Sequence, residues 1–413
     1  QVAERIGVVV EQGFGEAGPG AAGALLDNDP DALRHLPVVD LPSRLWAAPG
    51  GWRGAVLAAE ESAAGPLRDA ELASLDVAAL HVGGWHDPFC AETLRHFDSV
   101  GEGLDPRPPR ALVMGPWWHR IDASRPARYG ERRYGEASRF ALGRFQAEWV
   151  RRALDGDAPA DERRIFMAGD NRWLDGPDLA APVGILPDGA AGDGTRFHLA
   201  GDRLSPELPA SAGSVAFVHD AADPHPCRRT PLDESALPPR ADVAVFEGAP
   251  LGAPLRVLGT PRLGLRGRTD APQADWVARL LEVTAEGRRL YLAHGVVDAG
   301  RQLDGRGERL VAGEPHRVEI RLSPLGVTVP AGSRLRLEIS GAGFPSYARN
   351  LASGEPRLTG TTAAAARQSV DWGPDAPSTL HLPASIDGAA GGEAALRLAA
   401  ADRPTVGSAG AAR

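Results

Sequence analysis

Two short apolar runs in the first half of the chain predict neighbouring strands of a buried sheet. Residues 76–83 (DVAALHVG) run into a Gly-Gly pair, and residues 110–114 (RALVM) run into a Gly-Pro pair. Strands buried on both faces of a parallel sheet have such near-continuous apolar sequences. Residues 91–100 lie between them, carry Leu94 and Phe97 three positions apart, and predict a connecting helix. The pattern indicates a strand, loop, helix, strand unit of an open α/β sheet.

A longer amphipathic segment, residues 137–154, predicts a second helix. Its apolar positions recur at about 3.6-residue spacing: Leu142, Phe145, Trp149 and Ala153. Gly156 is expected to end the helix. Together with the preceding unit, this segment is expected to form the end of the α/β sheet.

After about residue 164 the periodicity changes from helical to alternating. One apolar stripe contains Val318, Ile320 and Leu322, and a second contains Leu335, Leu337 and Ile339. The segment Pro330-Ala331-Gly332 separates the two stripes. Short alternating strands punctuated by Gly and Pro predict an all-β sandwich or jelly roll for the second half of the chain.

Composition indicates a globular protein and excludes several partners. Apolar residues make up 43% of the 413 residues and charged residues 24%, which is ordinary for a globular chain. The net charge is −9 and the 45 basic residues are dispersed, so we expect no nucleic-acid partner. Two cysteines, Cys90 and Cys227, cannot form a disulfide framework, which favours a reducing, cytoplasmic compartment. No membrane-spanning segment or signal peptide is recognisable, so we expect no membrane partner.

The first residue, Gln1, is not a methionine, and the only methionines are Met114 and Met167. A primary translation product starts with methionine. We therefore expect a further segment before Gln1 in the natural polypeptide.

Two loops directly after the predicted strands carry candidate catalytic residues. The first is GGWHDPF, which contains Asp87, and the second is GPWWH, which ends at His119. Functional groups of open α/β sheets collect beyond the carboxyl ends of the strands, so both side chains are expected at one edge. A carboxylate that accepts from one imidazole N–H fixes the tautomer of the base. Taken singly, an Asp after a strand often caps the following helix and a His beside two tryptophans is often only packed, but the pair in this order indicates an acid and base.

These two motifs resemble those of the CocE/NonD family of serine hydrolases. Members have a Gly-Trp-x-Asp segment with the triad acid and a Gly-Pro-Trp-x-His segment with the triad base. The resemblance implies that Asp87 is the acid and His119 the general base. Residues 217–226 (FVHDAADPHP) and 339–350 (ISGAGFPSYARN) also resemble family segments, and residues 36–42 (LPVVDLP) resemble part of the family's helical cap.

The resemblance implies three domains. Residues 1–75 would be the helical cap region, residues 76–163 the C-terminal part of the α/β-hydrolase domain, and residues 164–413 a β jelly roll like that of Xaa-Pro dipeptidyl-peptidases. The fold class is thus α/β plus β.

The serine nucleophile of the family is not recognisable in this sequence. It sits in a Gly-x-Ser-x-Gly-like elbow well before the cap, whereas Ser43, Ser62 and Ser74 lack flanking glycines and follow no strand. We expect the nucleophile to lie before Gln1 or to be absent.

Other residues near the two motifs allow alternative interpretations. Cys90 follows Asp87 by three residues and could be a thiol nucleophile, although a free cysteine is more often buried. A metal site formed by the nearby histidines is not expected, because their predicted positions do not converge and no carboxylate completes the set; these are His81, His86 and His96. The aromatic residues around the motifs are expected either to pack the core or to line a substrate site, and we assign Trp85, Phe89 and Trp118 to the latter.

The sequence therefore predicts hydrolysis of an ester or amide without cofactor or metal. The resemblance points to small acyl esters or amino-acid derivatives such as Xaa-Pro peptides. An alternative is a catalytically incomplete relative whose jelly roll is a binding module. An enzyme processed into two chains, with association to an N-terminal chain bearing the serine, and a homodimer also remain open.

Overall fold

The computed structural model describes residues 34–40, 69–119, 121–175, 195–227, 232–304, 310–344 and 346–386. Most of the expected cap region, 1–75, lies outside the described residues. Of the segment 36–42, residues 36–40 are described, and the amide of Val39 donates a hydrogen bond to the carbonyl of Leu358 at 3.0 Å. This segment therefore contacts the C-terminal half of the chain.

The strands and helices of the described residues have the following bounds. The strands are β1 Ala79–Gly84, β2 Arg110–Gly115, β3 Arg128–Tyr129, β4 Arg132–Arg133, β5 Asp161–Met167, β6 Arg172–Asp175, β7 Thr195–Ala200, β8 Arg203–Ser205, β9 Gly213–Asp220, β10 Val243–Gly248, β11 Leu255–Gly259, β12 Arg262–Thr269, β13 Asp275–Val283, β14 Arg289–Asp298, β15 His316–Arg321, β16 Leu325–Val329, β17 Arg334–Ser340, β18 Ala365–Trp372, β19 Thr379–Leu382 and β20 Ala384–Ile386. The α-helices are α1 Asp69–Ala73, α2 Cys90–Ser99, α3 Leu142–Asp155 and α4 Ala299–Asp304, and short 3₁₀ helices lie at Val38–Asp40 and Glu136–Ser138. Among these helices, none is both long enough and apolar enough to cross a lipid bilayer.

The predicted parallel sheet is present, with the strand order β1-β2-β5-β6. β1, β2 and β5 are parallel, and β6 turns back antiparallel to β5. The central strand β2 is fully buried at Leu112, Val113 and Met114. The predicted connecting helix is α2, which packs on β1 and β2 through apolar side chains that include Leu94 and Phe97.

Two sequence expectations for this region need correction. The second helix begins at Leu142 and not at residue 137, because Arg139 has an extended backbone that separates the 3₁₀ turn Glu136–Ser138 from α3. Gly156 ends the helix in the left-handed conformation, as predicted. The expected boundary after residue 163 falls inside β5, and the sheet continues to Asp175.

The alternating segments of the second half form a large, mainly antiparallel sheet that folds over on itself. Its strand order is β14-β13-β17-β10-β8-β7-β19-β12-β18-β9, with β15 paired to β12. Aromatic contacts join its two halves, with Trp276 against Phe217 and Phe246 against Trp372. We call this unit the β sandwich. The predicted apolar stripes on β15 and β17 are buried in its core, which confirms the alternation.

A small sheet connects the two parts of the molecule. β16 pairs with β11, and β11 pairs with β20. Ala168, directly after β5, donates to the carbonyl of Gly326 at 3.0 Å and accepts from the amide of Thr328 at 2.8 Å. The indole of Trp85 lies over Gly326, and its N–H donates to the carbonyl of Phe166 at 2.7 Å.

Replacing Trp85 with alanine should lower the free energy of unfolding by about 3–5 kcal/mol. The substitution leaves a cavity between the parallel sheet and β16, and it leaves a buried carbonyl without its donor. Urea unfolding followed by circular dichroism measures the change. Trp118→Ala is the matched control, because Trp118 is 47% exposed and its loss should change stability by less than about 1 kcal/mol. Equal losses in the two variants would contradict the assigned packing.

Candidate active site

The register of β1 and β2 places Asp87 and His119 at the same edge of the parallel sheet. Gly84, the last residue of β1, pairs with Gly115, the last residue of β2. Two further hydrogen bonds join the loops that follow these strands. The amide of Trp85 donates to the carbonyl of Gly115 and the amide of His86 donates to the carbonyl of Trp117, both at 3.0 Å. The two loops therefore leave the sheet side by side.

Close approach of Trp117, through its backbone at Gly84 and through its indole at Gly115, explains one glycine of each motif. A Cβ atom on Gly84 would lie 2.2 Å from the carbonyl oxygen of Trp117. A Cβ atom on Gly115 would lie 2.4 Å from Cε3 of the same tryptophan. Only glycine permits this approach, so the Gly-Gly and Gly-Pro sequences serve the packing of the two loops.

The imidazole of His119 faces the carboxylate of Asp87. Nδ1 of His119 is 3.3 Å from Oδ2 and 3.4 Å from Oδ1, and with Nδ1 protonated it donates to the carboxylate. Such distances are long for a tight hydrogen bond, as is common in free catalytic sites. The Asp87 side chain is 10% exposed and that of His119 is 47% exposed. The carboxylate is therefore covered by protein while the imidazole is open to solvent.

Asp87 is also fixed by its own loop. Its Oδ1 accepts a hydrogen bond from the amide of Phe89 at 2.8 Å. Its backbone N–H donates to Gly84 and its carbonyl accepts from Cys90, at the entry to α2. The carboxylate thus contacts both the backbone at the entry to α2 and the imidazole of His119.

Two of the three predicted substrate-lining aromatic residues lie beside the base. The ring of Phe89 is 5.3 Å from that of His119, centroid to centroid, with a tilt of 57°. Phe89 is 40% exposed, and Trp118 precedes His119 and is also exposed. These side chains offer apolar surface to a ligand at the edge of the sheet.

Trp85, the third residue of that set, lies elsewhere. It is buried in the core cluster that includes Leu94, Phe97 and Met114. Trp117, the first tryptophan of the GPWWH motif, is also buried, and its ring centroid lies 5.8 Å from that of Trp173. The assignment of Trp85 to substrate binding was wrong, because its side chain points between the parallel sheet and β16.

His86, next to Asp87, has a role that the sequence did not indicate. Its Nε2 is 2.7 Å from the hydroxyl of Tyr134, and its ring stacks on Tyr129 at 4.1 Å with an interplanar angle of 15°. Burial, and secondarily the cation of Arg132, lower the pKa of His86 to about 3. The imidazole is therefore neutral at physiological pH. Both tyrosines lie more than forty residues further along the chain, so no local pattern could reveal the contact.

The three histidines around the first motif do not meet. His81 lies in β1 with its ring edge-on to Phe97, and burial lowers its pKa to about 4. His96 lies on α2, where Nε2 is 3.9 Å from Glu92. Across the described ranges, no group of three or more His, Cys, Asp or Glu side chains has the arrangement of a metal site.

Replacing Cys90 with alanine should leave hydrolytic activity within about twofold, because the thiol is buried at the start of α2. Burial, and then the neighbouring Asp87 carboxylate, raise the pKa of this thiol far above neutrality, so it is not a thiolate nucleophile. Steady-state kinetics of the complete polypeptide test this. Loss of activity in Cys90→Ala with unchanged thermal stability would restore the thiol-nucleophile interpretation.

The two other family-like segments contact each other within the β sandwich. The amide of Cys227 donates to Phe344, and the amide of Phe344 donates to His225, at 2.9 and 3.0 Å. Nη1 of Arg349 donates to the carbonyl of Ala221 at 2.9 Å. These contacts, together with the bond from Val39 to Leu358, make the segments structural elements of the second half.

A buried ionic network lies under these segments. The carboxylate of Asp275 accepts hydrogen bonds from Arg357 at 2.7 Å and from the side-chain amide of Asn350 at 3.1 Å. Arg357 also pairs with Asp298 at 3.0 Å. Asp275 is buried, so removal of its partners would leave an uncompensated buried charge.

Comparison with known proteins agrees with the motifs. Residues 186–381 match the family model described as the X-Pro dipeptidyl-peptidase C-terminal non-catalytic domain. The chain is 28% identical over 336 residues to a cocaine esterase from Rhodococcus sp. (strain MB1 Bresler). The aligned region covers 76% of this chain and 57% of that enzyme.

Solved structures show the same fold. An α-amino acid ester hydrolase matches with a TM-score of 0.63 and 23% identity, covering 77% of this chain and 57% of that one. A CocE/NonD family hydrolase from Staphylococcus aureus matches with a TM-score of 0.52 and 14% identity, covering 76% and 55%. The chain thus spans little more than half the length of these relatives.

Proposed function

Because this chain is a relative of the CocE/NonD hydrolases, we propose that it carries the acid and base of a serine hydrolase that cleaves an ester or amide by acyl transfer to water. His119 is the general base and Asp87 is the acid that orients it. The serine nucleophile belongs to a segment outside the present sequence. The observation that carries this proposal is the imidazole of His119 facing the covered carboxylate of Asp87 at the ends of adjacent parallel strands.

The geometry supports a defined proton path. With Nδ1–H directed at Asp87, the lone pair of His119 resides on Nε2. Nε2 takes the serine proton as Oγ attacks the carbonyl carbon, and it delivers that proton to the leaving oxygen or nitrogen as the ester or amide bond breaks. Water then attacks the acyl-enzyme, its proton passes to Nε2, and the serine is regenerated when that proton returns to Oγ. Asp87 stabilises the imidazolium in both steps.

The residues present require no cofactor for this chemistry. The oxyanion of each tetrahedral intermediate is stabilised by hydrogen-bond donors, which the segment bearing the serine would share in supplying. In this proposal the sheet β1-β2-β5-β6 is the C-terminal part of an α/β-hydrolase domain. The β sandwich with its small sheet is then a jelly roll, and the segment before α1 belongs to a helical cap.

The substrate class follows from the relatives and from the surface beside the base. The relatives act, by their names, on cocaine and on α-amino acid esters, and the matching domain model is named for X-Pro dipeptidyl-peptidases. Phe89 and Trp118 provide apolar surface for an acyl or aromatic group. We propose a small-molecule ester or peptide-like substrate and a cytoplasmic enzyme, either a homodimer or a polypeptide associated with a chain that bears the serine.

A substrate panel tests this proposal on the complete natural polypeptide. The panel contains an aryl acetate, an aryl benzoate, an α-amino acid methyl ester and an Xaa-Pro p-nitroanilide. Hydrolysis of at least one compound, with loss of activity after treatment with a serine-directed fluorophosphonate, is expected. No hydrolysis of any of them by correctly folded protein would favour the alternative, a relative that serves as a binding module.

A further inference from the structure

The residue before the catalytic acid is held by a hairpin that the β sandwich anchors. Strands β3 and β4 form this hairpin, with Gly130 at its turn in the left-handed region at φ 57°. An isolated two-stranded hairpin is marginally stable in water, so contacts to the rest of the molecule must fix it. Two kinds of contact do so, one toward the sandwich and one toward the catalytic loop.

Toward the sandwich, the hairpin is fixed by ion pairs. Arg132 pairs with Glu282 on β13 at 2.7 Å, and the two side chains are 15% and 4% exposed. Glu282 also accepts from the hydroxyl of Ser333 at 3.0 Å. Glu131 accepts from the amide of Asp233 at 2.9 Å and pairs with Arg288. A covered ion pair with a second hydrogen bond holds its geometry better than an exposed pair.

Toward the loop that contains Asp87, the contacts are made by two tyrosines, one in the hairpin and one directly after it. Tyr129 stacks on the ring of His86, and the hydroxyl of Tyr134, which follows β4, bonds to its Nε2. Tyr134 itself is buried, with its ring edge-on to Phe166 on β5. Burial raises the pKa of the Tyr134 hydroxyl, so it keeps its proton. The ring of His86 therefore has a fixed position and a fixed neutral state.

We propose that His86 is a positioning residue for Asp87, and that the hairpin β3–β4 transmits the support of the β sandwich to it through Tyr129 and Tyr134. His86 and Asp87 share one planar peptide bond, so a clamped His86 side chain limits the backbone rotation that would move the carboxylate. Among the described residues, the other hydrogen bond to this carboxylate comes from the Phe89 amide. The inference rests on the proposed function, because it assumes that Asp87 orients the base.

The hydroxyl deletion Tyr134→Phe tests the inference in the complete polypeptide. We expect kcat to fall on the order of tenfold with KM nearly unchanged, since small displacements of a catalytic group have effects of this size or larger. A less well-placed Asp87 stabilises the imidazolium that forms in the transition state less, so the loss should fall on kcat and not on substrate binding. Fluorophosphonate titration should count the same number of active sites.

The same substitution in an Asp87→Asn background separates positioning from general stability. If Tyr134 acts through Asp87, adding Tyr134→Phe to Asp87→Asn should cause no further loss. An equal loss in both backgrounds, or a lower rate that is explained wholly by fewer titrated sites, would overturn the inference. Full activity of Asp87→Asn alone would instead overturn the proposed function, so the two failures are distinguishable.

A matched pair of buried carboxylates tests the role of the sandwich. Glu282→Gln removes the charge that holds Arg132, whereas Glu338→Gln removes another buried charge, which pairs with Arg279 and Arg336 within the sandwich. Both variants should lose thermal stability. Only Glu282→Gln should reproduce the loss of kcat at unchanged KM seen in Tyr134→Phe, and a loss of the same size in Glu338→Gln would contradict the hairpin as the route.

Discussion

His119→Ala should reduce kcat of the complete enzyme by about a millionfold, the scale on which loss of the triad histidine disables a serine hydrolase. The imidazole supplies the proton transfer in acylation and in deacylation, and the other described histidines near the site are engaged with other partners. Because the side chain is nearly half exposed, its removal should leave the melting temperature almost unchanged. Burst and steady-state kinetics with the best substrate of the panel give the measurement.

The control for this variant is His198→Ala. His198 lies on β7 of the sandwich, where it bonds to the hydroxyl of Thr379, and its loss should leave turnover unchanged. Near-wild-type turnover by His119→Ala would remove His119 as the base and with it the proposed mechanism.

Asp87→Asn should reduce kcat by about ten-thousandfold while the fold is preserved. The asparagine amide would donate toward Nδ1 of His119, and the proton would then reside on Nε2, where it blocks acceptance of the serine proton. The matched control is Asp122→Asn, an exposed carboxylate three residues after His119 that bonds to Ser124 and pairs with Arg125. An unchanged rate in Asp87→Asn would show that Asp87 does not orient the base.

Much of the fold follows from local sequence pattern. The apolar runs that form β1 and β2 are bounded by glycines, and the alternating residues of β15 and β17 face the core as predicted. The pairing of Asp87 with His119 could also be predicted, because parallel register places the loops after adjacent strands at one edge.

The parts that the sequence could not predict depend on contacts between distant segments. Trp85 and Phe89 are four residues apart in one motif, yet one is buried and the other exposed. The difference arises because the bond from the Trp85 amide to Gly115 extends the strand pairing and turns the indole toward β16. Nothing in the local sequence encodes the position of β16, which lies more than two hundred residues further along the chain.

The position of the loop that contains Asp87 also depends on contacts between distant segments. Tyr129 and Arg132 belong to a hairpin of two-residue strands that has no apolar periodicity of its own, and Tyr134 directly follows it. Its position is determined by Glu282 on one side and His86 on the other. The contacts of this short hairpin thus connect the predominantly β half of the chain to the loop that contains Asp87.

The most direct test of the central claim is the rate and position of labelling by a fluorophosphonate probe, read by peptide mass spectrometry. Complete wild-type polypeptide should be labelled on a single serine in a segment outside the present sequence. Labelling should be strongly slowed in His119→Ala and Asp87→Asn and unaffected in His198→Ala. Absence of a labelled serine in the complete polypeptide, or a labelling rate that does not depend on His119, would contradict the assignment of Asp87 and His119 as the acid and base of a serine hydrolase.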